Sequence, residues 1–144
     1  MSTPDIEEMG PIDYIVLEWP GRQPSGEIAP LILDLVDDGI IRVIDVALMI
    51  KDEDGSVAAL DLASLPEFAE FEGAATGLLA QEDLDEAANA LAPGTSAAVL
   101  VWENRWAAPV AVAMRRSGGQ LVASGRIPVQ AILASLEELE ASDP

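Results

Sequence analysis

The chain has no cysteine and no histidine among its 144 residues. Disulfides, thiolate nucleophiles, the common zinc sites and Ser-His-Asp triads are therefore excluded together. Basic residues are scarce as well: seven Lys and Arg stand against 26 Asp and Glu, a formal net charge of −19. A polyanion of this kind repels phosphate backbones, which argues against nucleic acid as a partner. Its ordinary role is solubility, and the sharper reading is a salty medium or a basic protein partner. No run approaches the roughly 18 apolar residues of a membrane span. The opening MSTPDIEEMG is acidic and lacks the apolar centre of a secretory leader. A cytoplasmic protein without a cofactor or bound metal is the expectation.

What the chain does have is apolar content, half of all residues. That suffices for one domain with a real core. Its most telling stretch is Ile40–Ile50, IIRVIDVALMI, in which only Arg42 and Asp45 are charged. Strict alternation would put Ile40, Ile44, Val46, Leu48 and Ile50 on one face, with Ile41, Val43, Ala47 and Met49 on the other. Both faces need cover, from an added helix or from a second copy of the chain. A homodimer or larger assembly through sheet faces is the expectation. Arg42 and Asp45 would lie on opposite faces, each meeting a charge on a neighbouring element.

Along the chain, residues 1–10 read as an acidic flexible tail, 11–140 as a single α+β domain and 141–144 as a C-terminal tail. Within the domain, YIVLEW (Tyr14–Trp19) is a short strand and PGRQPSG a loop. Ile28, Leu31, Ile32, Leu35 and Val36 have helical spacing, and Gly39 sits where a left-handed C′ residue belongs. The acidic turn Asp52–Gly55 links strand 40–50 to a second strand, Ser56–Leu62; it has too few oxygen ligands for a calcium loop. Residues 63–81 are irregular. There Gly73 and Gly77 have a spacing that permits close packing of helices, or they serve only as turns. Further on come a helix at 81–92, a strand at Thr95–Trp102, a helix at Ala107–Ser117, a strand at Gln120–Arg126 and a last helix opened by Pro128.

Two parts of the chain repeat. VLEW (Val16–Trp19) matches VLVW (Val99–Trp102), and Ala29-Pro30 matches Ala108-Pro109. In each copy a glycine follows nine residues after the proline, at Gly39 and Gly118. Two pseudo-repeated βαβ units predict a ferredoxin-like sandwich of about five strands and four helices.

The ordered motifs DYIVLEWPG, IIRVID, IKDEDGSV, LAPGTSAAVLVWE and R-x-x-GG-x-L-V-A-S span about Gly10 to Glu140. In them the chain resembles the small bacterial proteins called domain of unknown function 6325, and more distantly those called domain of unknown function 1269. The larger family has a long glycine-rich hydrophobic hairpin between its halves; the matching Leu62–Ala80 is short and acidic here, so a membrane role does not carry over. The resemblance implies one fold over the whole length and supplies no activity, cofactor or catalytic residue.

Candidate sites are few. Trp19 and Trp102 end equivalent strands, with Glu18, Glu103, Asn104, Arg105 and Trp106 close by in sequence. If those strand ends share one edge, they line a pocket for a small cationic or aromatic ligand; otherwise the tryptophans fill core or interface. Arg115 and Arg116 suit a solvated helix end, and Arg126 could meet acids of a neighbouring subunit. Asp45 and Glu18 are the acids in the most apolar settings, with a structural ion pair the stronger reading for Asp45. No residue qualifies as catalytic. The resulting expectation is a non-catalytic, self-associating assembly protein, stress-related by family analogy alone. The alternatives are a small-ligand sensor and, last, an enzyme built as a dimeric α+β barrel.

Overall fold

A computed structural model of the protein describes residues 8–74 and 76–142. Its centre is one antiparallel sheet of four strands in the order β1-β4-β2-β3. These are β1 (Ile12–Pro20), β2 (Ile41–Lys51), β3 (Val57–Leu60) and β4 (Thr95–Asn104). The four α-helices are α1 (Ile28–Asp37), α2 (Gln81–Ala88), α3 (Ala108–Arg116) and α4 (Val129–Ser142). Two 3-10 segments, Leu62–Ser64 and Pro66–Ala74, lead from β3 towards α2.

The first of the two expected βαβ units is present. β1 and β2 both run antiparallel to β4, which lies between them, so the unit is a split βαβ with α1 as its crossover. Helix α1 ends as read from sequence: Gly39 has φ +74°, and the Ile40 N–H returns to the Leu35 carbonyl at 3.0 Å. The second unit does not close. Gln120–Arg126, expected as a strand, has no ladder partner and is exposed throughout. The sheet therefore has four strands rather than five. A strand has no hydrogen bonds of its own, and this segment makes no ladder with either edge of the sheet.

The most buried ribbon is β4, with every residue from Ser96 to Asn104 buried. Strand β2 is nearly as deep, but its faces do not follow strict alternation. The ladder to β4 slips by one residue between Val43 and Asp45. Ile44 is the extra residue of this bulge, and it moves Val43 to the face of Val46 and Leu48. Arg42 pairs with Glu103 and Asp45 with Val101, two positions on one face of β4. Arg42 and Asp45 thus share a face, contrary to the reading from alternation.

Both faces of β2 are covered within the chain. On one face, Val46, Leu48, Ala98, Leu100 and Trp102 pack with Ala29 of α1 and with Phe68 and Phe71. On the other, Met49, Ala97 and Val99 pack with Leu84 and Ala88 of α2. Of the two covers expected for this strand, a helix or a second copy of the chain, the helix is present, as α2. The chain changes faces between Phe71 and Leu79 by passing the β2 edge that short β3 leaves open. There the Thr76 hydroxyl donates to the bulged Ile44 carbonyl at 2.8 Å.

One side chain ties this layer to the sheet. Lys51, at the end of β2, donates to the Ala88 and Leu91 carbonyls at 2.9 and 3.1 Å, where α2 ends. Replacing it with Met should cost about 1 kcal/mol in urea unfolding, by removing a cation from the negative end of a helix. Ser96, fully buried, has a hydroxyl without a hydrogen-bond partner among the described residues. Ser96→Ala should therefore be neutral or gain up to about 1 kcal/mol in the same assay.

Candidate functional site

Gly10 and the last residues of β4 build one connected polar cluster. The Glu103 carboxylate accepts from the Gly10 N–H at 2.8 Å and from Arg42 Nε at 2.9 Å. Asn104 works at both ends of its amide. Its Oδ1 accepts from Trp102 Nε1 at 3.0 Å and Trp106 Nε1 at 3.3 Å, and its Nδ2 donates to Pro11 O and Asp13 Oδ2. Residues 1–7 of the expected acidic tail lie outside the described residues; Gly10, at its far end, is buried. At the other terminus α4 runs through Ser142, and 143–144 lie outside the description.

Burial raises the pKa of Glu103. The bond from Gly10 and the guanidinium of Arg42, helped by the charge of Arg105, outweigh it and hold the carboxyl below its ordinary value. A depressed acid contributes stability that is complete above its unfolded pKa, about 4.3 for Glu. That contribution disappears as pH falls through the lower folded value. Glu103→Gln should flatten this part of the acid limb in a denaturation series from pH 6 to 2, while lowering stability at neutral pH. An unchanged limb would remove Glu103 from the account.

Five residues singled out in the sequence divide between two places. Trp102, Glu103, Arg105 and Trp106 lie together at the end of β4, with Trp102 buried and Trp106 67% exposed. Trp19 is elsewhere. It pairs with Ser96, at the start of β4, whereas Trp102 pairs with Asp13. Six residues of strand separate the two, roughly 20 Å at 3.4 Å per residue. The antiparallel pairing of β1 and β4 places matching strand ends at opposite ends of the sheet, so a single pocket between the two tryptophans does not form. Both rings contribute to the same core instead. Glu18 accepts the Ala92 N–H at 2.8 Å and so anchors the turn before β4.

The close-packing expectation for Gly73 and Gly77 is also corrected. Nothing lies within 4 Å of a Cβ built on either, and Gly77 has φ +80°. It is a turn residue, placed where the chain rounds the β2 edge. The tightest backbone approach at a glycine is at Gly10, where an added Cβ would lie 2.3 Å from the Asn104 carbonyl oxygen.

Asp45 is 2% exposed and meets no cation among the described residues. Its carboxylate accepts three backbone N–H groups, from Val46 at 2.9 Å, Thr76 at 3.1 Å and Leu79 at 2.7 Å. All four lone-pair directions but one are used, and the acid serves as a clamp for the 76–79 turn. Nothing in the sequence marks Thr76 and Leu79 as partners, because they lie more than thirty positions away. The carboxylates of Asp52 and Asp54 are engaged locally: Arg22 pairs with Asp52, and Asp54 accepts from Ser56. Among the described residues, no group of three acidic side chains is arranged to hold a metal ion.

An open concavity lies elsewhere, on the α2 face of the sheet. Ile12, Tyr14 and Val16 of β1, Val99 and Val101 of β4, and Leu79 and Ala87 beside them form an apolar groove of about 550 Å³. Asp83 and Glu86 are among its lining residues, as is Asp13, whose carboxylate is held by Asn104. α2 covers β2 and part of β4 but stops short of β1, which leaves Ile12 and Tyr14 51% and 73% exposed.

These features define a small α+β domain with a single four-stranded antiparallel sheet, a structural polar cluster and an open apolar margin along β1. The chain belongs to DUF6325, a family of unknown function whose pattern matches residues 8–142. Comparison with curated proteins and with solved structures returned no match. Among the described residues, no helix is long and apolar enough to cross a membrane.

Proposed function

We propose that the protein is a non-catalytic assembly module that works by self-association. The observation that carries this reading is the distribution of uncovered apolar surface. It is gathered along the β1 margin and in the C-terminal residues, where Val129, Ile132, Leu133, Leu136 and Leu139 are all exposed on α4. Wet apolar area of this extent is unfavourable at about 25 cal/mol per Å² and marks an interaction surface. The polar groups best placed for chemistry, on Asp45, Glu103 and Asn104, are instead committed to backbone and side-chain partners that hold the fold. Light scattering on the full chain at micromolar concentration should give a multiple of the 15.1 kDa chain mass. A mass that stays at one chain up to millimolar concentration ends the proposal.

A second reading, binding of a small molecule, draws on the groove under Tyr14 and not on the tryptophan-bearing strand ends. Asp83 and Glu86 in its lining suit a cationic amphiphile. Saturable quenching of Tyr14 fluorescence in Trp-free variants, with no change of mass, would favour it over assembly.

A further inference from the structure

Residues 117–142 are exposed without exception, through an extended segment and the whole of α4. Yet the segment is built like part of a core. Leu121 and Val122 precede a helix whose Val129, Ile132, Leu133 and Leu136 follow the spacing i, i+3, i+4, i+7, a stripe meant to be buried. Opposite it in kind is the body's own unfinished margin: β1 pairs with β4 on one side only, and the groove beside it is open.

The two differ in charge over most of the segment. Residues 1–103 contain 22 acids and three bases, while 104–136 contain four arginines and no acid at all. Of those arginines only Arg126 lies beyond Gly119, so residues 119–136 carry one base and no acid, with Glu137, Glu138 and Glu140 following, while the groove has Asp83 and Glu86 in its lining. Two bodies that each carry strong negative charge repel one another face to face; contact through the acid-free segment avoids that repulsion.

Direction decides whose groove is filled. In the first repeat β1 and β2 are parallel with β4 between them, so a fifth strand completing the second repeat would run parallel to β4 and antiparallel to β1. Such a strand must start opposite Pro20. Helix α3, however, delivers the chain at the other end: Arg115 donates to the Met9 carbonyl, and Arg116 lines a shallow groove with Glu8. Nine residues of β1, about 30 Å, separate the two points. A two-fold axis beside β1 removes the discrepancy, because it sets the Ile12 end of one copy against the Pro20 end of the other.

We infer that residues 119–142 are an exchanged arm: in a two-fold dimer, Gln120–Arg126 of each chain adds antiparallel to the free β1 edge of the other, and α4 lays its apolar stripe in the groove beside α2. Strand addition satisfies the open backbone groups of β1 and of the arm at once. The arm has 24 residues, within the roughly 20–30 that each side of an ordinary stable interface supplies. Gly118 and Gly119 form the hinge. The inference rests on the self-association proposed above and names the surface responsible for it.

The experiment uses the full chain and its lack of cysteine. Val122→Pro removes an N–H from the arm, and I132D/L136D charges the α4 stripe; all three sites are exposed, so folding should be untouched by circular dichroism. Each variant is expected to weaken the dimer by roughly tenfold or more. Separately, a Tyr14→Cys chain and a Val122→Cys chain with distinguishable tags are mixed and treated with a short bis-maleimide. A cross-linked species of both tags is expected. A full chain that is monomeric refutes both the inference and the proposed function. A dimer unaffected by the arm variants refutes the arm alone and leaves self-association standing. A double Cys variant that cross-links only within its own chain places the arm on its own body and likewise refutes the exchange.

Discussion

An Asp45→Ala chain should lose about 3 kcal/mol of unfolding free energy, one of the largest effects of any single polar substitution in this protein. Hydrogen bonds to a charged group contribute about 1.5–3 kcal/mol each. Asp45 receives two from N–H groups of a distant turn, Thr76 and Leu79, as well as one from Val46. Alanine leaves these donors without their acceptor at a partly buried site, and no neighbouring cation gains from the change. Asp45→Asn should retain one accepting oxygen and lose about half as much. The loss should also be local before it is global: amide exchange at Thr76 and Leu79 should accelerate more than in β4. Urea unfolding that places Asp45→Ala within about 1 kcal/mol of the parent would show that the turn holds without its clamp.

A Gly10→Ala chain should be destabilised by about 3 kcal/mol, at the upper end for overpacking. The added Cβ would sit 2.3 Å from the Asn104 carbonyl oxygen and 3.2 Å from the Ala108 backbone. All these neighbours are main chain, so no rotamer change relieves the clash. Movement of Gly10 would also pull its N–H from Glu103 and Pro11 O from the Asn104 amide. Gly39→Ala is the control. Gly39 has φ +74° but nothing within 4 Å of a new Cβ, so only the backbone cost of about 1 kcal/mol applies. Equal losses at the two positions in thermal unfolding would mean that the crowding at Gly10 is not what matters there.

Legibility from sequence varied with the range of the interaction concerned. Helix α1 and its Gly39 cap were readable because apolar spacing and a left-handed glycine are local signals. The β2–β3 hairpin was readable for the same reason, with its acidic turn closed by Asp54 on Ser56. The faces of β2 were not. One extra residue, Ile44, reverses the parity of everything beyond it, and nothing in IIRVID announces a bulge. The pairing of Arg42 with a charge on a neighbouring strand was anticipated; that its partner is Glu103, with Gly10 on the same carboxylate, needed the register. Gln120–Arg126 has the composition of a strand, but composition does not provide the edge that a strand needs.

The tryptophans carry the same lesson. They hold matching places in VLEW and VLVW, and the antiparallel pairing of β1 with β4 puts those matching places at opposite ends of the sheet. The groove beside Tyr14 escaped notice because its walls come from β1, β4 and the region of α2, each unremarkable alone.

By itself the sequence determined the chemistry this protein lacks, its strongly acidic character, its α+β class and the course of each helix, since composition and periodicity are properties of a segment taken alone. Tertiary structure alone decided which strands meet, where the bulge falls, that α2 covers β2 and that Asp45 clamps a remote turn. Those outcomes depend on contacts between residues far apart in the chain, and their free energy belongs to the pair rather than to either segment.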